Sequence, residues 1–185
     1  MPYDKDGNSM SLAAALEQLV PVAFEKLKQT AKTYNAFVTY KELGDAAKEA
    51  TGIRYDATYR WVGKLLGPIV WRCKEEGLPP LTSLVVHADD HSVGEGYDEV
   101  FRAAGLPVPE GSDKIAQLDD HAAASRLECY RHFGAELPPD GGVPTLTPKI
   151  KAARDASKSS KPRPLQFCEI HNIALPATGR CDECD

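Results

Sequence analysis

Apolar residues recur at helical spacing through much of the chain. After Ser11, the positions Leu12, Leu16, Leu19, Ala23 and Leu27 predict a helix, or two short ones, along "LAAALEQLVPVAFEKLKQTAKTY", kinked at Pro21, which removes an amide donor and crowds the preceding turn. "AFVTY" predicts a brief extended piece. Thr39 and Glu42 then form a capping-box pattern, so a second helix is expected from Tyr40 to about Thr51, stopped by Gly52.

The segment "YDATYRWVGKLLGPIVWRCKEEG" predicts a third helix with Asp56 as N-cap and Gly77 as its end. Val62, Leu65, Leu66, Ile69 and Cys73 fall on one side of it, and Arg60, Lys64 and Trp71 fall on the other. Gly67 and Pro68 are expected to break or kink it midway. "LTSLVVHA" reads as a strand running into the polar turn or wing "DDHSVGEG". Two further helices are expected in "YDEVFRAAG" and "SDKIAQLDDHAAASRLECYRHFG", the second capped by Ser112. The fold class is therefore α+β and mainly helical.

Composition divides the chain further. Residues 1–10 are polar and are expected to be disordered, and residues 11–134 are expected to form a helical domain with a strand and wing. Residues 135–164 are rich in Pro, Ser and Lys, carry too few apolar residues for a core, and read as a basic linker to a small unit at 165–185. No apolar run approaches the roughly 20 residues a membrane span requires, and no secretory leader is legible, so a soluble, cytoplasmic protein is expected. Five cysteines in such a setting point to thiols or metal ligands and away from disulfides.

Charge is unevenly spread. Residues 1–80 hold 11 basic and 10 acidic side chains, residues 81–147 hold 4 and 12, and the remainder hold 7 and 5. An acidic middle between neutral-to-basic flanks allows one face to meet a polyanion although the net charge is -5.

The clearest chemistry lies at the C-terminal end, in "FCEIHNIALPATGRCDECD". Cys168-x2-His171 and Cys181-x2-Cys184 supply two ligand pairs at the spacing that lets both members of a pair point into one site. The segment resembles a short zinc ribbon or zinc knuckle, with His171 where the commonest ribbons have Cys. Four protein ligands leave no open coordination position, so a single structural Zn2+ is expected and catalysis at the metal is not.

A second pattern spans residues 37–90: "VTYKELGDAAKEATG", "RWVGKLLG" and "PPLTSLVVH". It resembles the winged helix-turn-helix of the alkyltransferase and alkyltransferase-like DNA-binding domain. The resemblance implies that Tyr40 lies near a DNA phosphate and that Arg60 stands where the family inserts an arginine into the base stack. Val62 and Gly63 would seat the recognition helix. The family's Pro-Cys-His-Arg or Pro-Trp-His-Arg strand motif is replaced by Pro80, Leu81, Thr82 and Ser83, so no acceptor thiol stands there and alkyl transfer is not implied.

On these grounds a nucleic-acid-binding or nucleic-acid-associated adaptor is expected, with DNA or RNA met through Tyr40, Arg60, Lys64 and Trp71. The alternative is a protein-interaction module or inhibitor that uses the acidic middle. A third reading is a metal-dependent nuclease built on "HADDHSVGEGYDE", with His87, Asp89, Asp90, His91, Glu95 and Asp98. The bland reading of that loop is a polar turn preceding a helix, where Asp98 and Glu99 complement the dipole.

Overall fold

The computed structural model describes residues 1–55, 61–159, 167–175, 180–181 and 183–184. The chain divides into two compact units, Met1–Lys151 and Ala152–Asp185. No described helix is long and apolar enough to cross a membrane. Asp56 and Arg60 lie outside the described residues.

The first unit is mainly helical. Helix α1 (Leu12–Thr30) starts where Ser11 Oγ accepts the amide of Ala14 at 3.1 Å and buries Ala15, Leu19, Ala23, Phe24 and Leu27. It runs through Pro21 as one helix. Proline deprives the Glu17 carbonyl of its partner, and both residues are exposed, so water can take the missing donor's place.

Helix α2 (Tyr40–Thr51) carries the complete capping box. Thr39 Oγ1 accepts the Glu42 amide at 3.2 Å, while the Glu42 carboxylate accepts the Thr39 amide at 2.7 Å. The helix closes on Gly52 at φ 72°, whose amide returns to the Lys48 carbonyl at 2.8 Å. It packs against α1 through Leu43, Gly44 and Ala47.

Helix α3 (Gly63–Glu75) buries Leu65, Leu66, Ile69, Val70 and Cys73 and leaves Lys64 and Trp71 exposed. It is not broken at Gly67 and Pro68 as the sequence suggests. Pro68 and Lys64, whose carbonyl it orphans, both lie on the solvent side, the same arrangement that spares α1.

Among the described residues four two-residue strands complete the framework: β1 (Pro2–Tyr3), β2 (Val38–Thr39), β3 (Arg54–Tyr55) and β4 (Val85–Val86). β1 pairs antiparallel with β3, and β2 pairs parallel with β4 in the register Val38 to Val85 and Thr39 to Val86. Residues 1–10, expected to be disordered, thus contribute a strand with Pro2 buried. The long strand expected over "LTSLVVHA" is instead a 3-10 turn at Leu81–Leu84 followed by β4. All six side chains from Leu81 to Val86 are buried, which explains why the stretch reads as a buried strand although only Val85 and Val86 pair.

Helices α4 (Asp98–Ala104) and α5 (Lys114–His132) follow. Asp113, not Ser112, is the N-cap of α5; the Ser112 hydroxyl turns to the Asp113 carboxylate at 3.4 Å. A second apolar cluster of Val70, Val86, Val93, Tyr97, Val100, Phe101, Leu118 and Ala122 joins α3, β4, α4 and α5. Buried Arg126 of α5 donates to the carbonyls of Ser83 at 3.0 Å and Thr145 at 3.4 Å, tying the 3-10 turn to the chain beyond α5.

The stretch 135–164, expected as a linker, contains helix α6 (Pro148–Ser159), opened by a proline at its first position, where no amide is required. Ala135, Thr147 and Ile150 are buried, and the Thr147 hydroxyl donates to the His91 carbonyl at 3.0 Å. Its first half therefore belongs to the body of the first unit.

Candidate metal centre

In the second unit the backbone forms a tight knuckle. Cys168 N–H donates to the Ile173 carbonyl at 2.9 Å, Asn172 N–H donates to the Cys168 carbonyl at 2.8 Å, and Asn172 takes φ 53° to close the turn. Phe167 and Ala174 form an antiparallel bridge at its base. The fold of the knuckle points His171 N–H at Cys168 Sγ, 3.5 Å away. A second turn, Cys184 N–H to the Cys181 carbonyl at 3.1 Å, holds the other pair.

The ligand atoms of Cys168, His171, Cys181 and Cys184 lie within 4.8 Å of one another, close enough to hold one metal ion. His171 Nδ1 is 3.8 Å from Cys168 Sγ, 3.5 Å from Cys181 Sγ and 3.4 Å from Cys184 Sγ, and Cys168 Sγ is 3.5 Å from Cys184 Sγ. The amides of His171 and Ile170 pull the Cys168 thiol down to about 6, which prepares a thiolate. Without a cation the crowded sulfurs cannot all ionise: Cys184 is pushed up to about 12, first by Cys168 and then by Cys181. A divalent ion among them would reverse that balance, so the donor set fits a cation. Among the described residues no other group of three or more His, Cys, Asp or Glu side chains is close enough for this.

Several side chains of the polar loop after β4 are engaged by their neighbours. His91, at φ 61°, packs its ring edge against Phe37 with centroids 5.0 Å apart. Asp90 Oδ1 accepts from both the amide and the hydroxyl of Ser92 at 2.8 Å. Asp98 meets Lys114 Nζ at 2.6 Å, and Glu99 accepts from Trp71 Nε1 at 2.8 Å and Arg102 at 3.0 Å. The two carboxylates at the start of α4 are thus each engaged by neighbours, Asp98 by Lys114 and Glu99 by Trp71 and Arg102, while Asp89 and Glu95 of the preceding loop are exposed.

The residues expected to meet nucleic acid are placed unequally. Lys64 is exposed on α3. Trp71 is 41% exposed, with Lys74 Nζ 5.1 Å from its ring centroid and its indole N–H held by Glu99. Tyr40 is half-buried; it stacks on His87 with centroids 5.0 Å apart, hydrogen-bonds to the backbone of Gly94, and burial raises its phenol above the usual value. One feature escaped the sequence reading. Thr82, buried at 3% exposure with no hydrogen-bond partner for Oγ1, lines a cavity of about 10 Å³ together with Tyr40, Gly94 and Tyr97. No sequence signal marks it, because the cavity exists only once β2 and β4 have paired.

Compared with models of protein families, with curated proteins and with solved structures, the chain gives no match in any of the three.

Proposed function

We propose that the protein is a nucleic-acid-associated adaptor whose C-terminal unit is fixed by one structural zinc ion. The observation that carries the zinc assignment is the spacing of the four donors. Tetrahedral zinc, with bonds of about 2.3 Å to sulfur and 2.0–2.1 Å to nitrogen, sets sulfur–sulfur edges at about 3.8 Å and sulfur–nitrogen edges at about 3.6 Å. Of the six separations among Cys168, His171, Cys181 and Cys184, one sulfur–sulfur edge of 3.5 Å and three sulfur–nitrogen edges of 3.4–3.8 Å lie close to those values, and all six are within 4.8 Å. Three thiolates and an imidazole suit zinc better than magnesium or calcium, which prefer oxygen donors. With four protein ligands the ion has no open position, so its role is to hold the knuckle together.

The association with nucleic acid is supported by the separation of charge. Between Lys149 and Arg163 the chain carries six basic residues against one acidic, and Lys149, Lys151 and Lys158 are exposed on α6. On α3, Lys64 and Trp71 share the free face and offer a cation and an aromatic surface. The winged-helix-like reading of residues 37–90 rests on the sequence resemblance, with α2 and α3 as its helix pair. The test is a gel shift on duplex and single-stranded probes across a salt series. Binding that weakens with salt and is lost in Arg60→Ala with Lys64→Ala supports the reading, and no shift on any probe sinks it.

A further inference from the structure

We propose that the metal-bound unit is a docking module for a protein surface that carries an apolar pocket inside a basic rim. Three of the large apolar side chains that the molecule leaves in solvent fall within a few residues of one another on the knuckle. Ile170 is 79% exposed, Phe167 54% and Ile173 43%. In Cys168-x2-His171 the side chains of the two intervening positions, Glu169 and Ile170, are not among the four donors; position 170 serves Cys168 through its amide, which a polar residue there would supply equally. An isoleucine held out into water on the hydrogen-bonded turn is therefore not required by the fold, whereas it is what an anchor residue for a partner looks like.

Charge selects the partner. Residues 167–185 hold Glu169, Asp182, Glu183 and Asp185 against Arg180 alone. That count leaves a net charge of −3 on these residues. Such a surface repels phosphates and anionic lipid within the roughly 8 Å screening length of physiological salt. The preceding segment, Lys149 to Arg163, has the opposite sign. The chain thus presents a basic stretch suited to a polyanion and, next to it in sequence, an acidic apolar clip suited to a basic protein. The inference goes beyond the nucleic-acid reading and does not depend on it.

The test uses the full zinc-loaded chain, with amide chemical shifts read residue by residue. The probes are an amphipathic Leu/Lys peptide, its Leu/Glu counterpart and an oligo-dT strand. The Leu/Lys peptide should shift the signals of 167–184 and the Leu/Glu peptide should not. Phe167→Ser with Ile170→Ser should weaken that binding about tenfold while one metal equivalent is retained, which shows that the knuckle still folds. Glu169→Lys with Glu183→Lys leaves the apolar residues in place and should weaken it as well. Absence of peptide binding, shifts confined to 81–147, unchanged affinity in both variants, or oligo-dT moving the 167–184 signals would each overturn the proposal. If oligo-dT binds nowhere while the peptide behaves as stated, only the nucleic-acid reading fails.

Discussion

Tyr40 and His87 stack with ring centroids 5.0 Å apart and an interplanar angle of 26°, and the two rings close over Gly94. The parallel pairing of β2 with β4 brings them together, since Tyr40 and His87 each follow directly on the paired residues Thr39 and Val86.

Gly94 is consequently a steric requirement of that stack. A Cβ there would lie 2.7 Å from Tyr40 Oη and 3.0 Å from His87 Nε2. Its φ of -74° suits any residue, so the penalty comes from the neighbours alone. Gly94→Ala should destabilise the first unit by about 1–3 kcal/mol in urea unfolding. Combining it with Tyr40→Phe, which removes the closest atom, should recover part of the loss. Equal losses with and without the hydroxyl would contradict this geometry.

The capping box makes a pH-dependent contribution. The Glu42 carboxyl is held below its ordinary value of 4.5, first by the Thr39 amide. Its contribution is fully present above pH 4.5 and disappears as the pH falls through the depressed folded value. Subtracting Glu42→Gln stabilities from those of the parent between pH 6 and pH 3 should give a difference that shrinks on acidification. Thr39→Ala should cost about 1 kcal/mol at neutral pH.

Thr82 predicts a substitution that does not harm. Its hydroxyl is buried without a partner, so Thr82→Val, similar in volume, removes an unsatisfied polar group and should leave stability unchanged or raise it by about 1 kcal/mol. A loss of more than about 1 kcal/mol would mean that a bound molecule hydrogen-bonds the hydroxyl in that cavity.

What could be read from the sequence was what is decided locally. Ser11, Thr39 with Glu42, and Gly52 mark helix ends through bonds spanning three or four residues, and each does so in the structure. The apolar stripe of α3 likewise follows from spacing alone. At Pro21 and Pro68 the helices continue without a break, because the cost of a proline depends on whether the orphaned carbonyl meets water, a property of the packed helix. The pairing of Pro2 with Tyr55, and the anchoring of 135–150 through Thr147 and Ile150, depend on partners about 50 residues or more away, with no local signature. The four donors of the metal centre were legible because ligand spacing is a sequence property. The engagement of Asp98 and Glu99 by Lys114, Trp71 and Arg102 was not, since those partners arrive from α3, α4 and α5.

The central claim, a closed structural zinc site, is tested most directly by counting metal on the intact chain in native mass spectrometry. One zinc per chain is predicted in the parent, and none in Cys181→Ser with Cys184→Ser. A full equivalent retained by the double variant, or a parent that binds no zinc at all, would contradict the account.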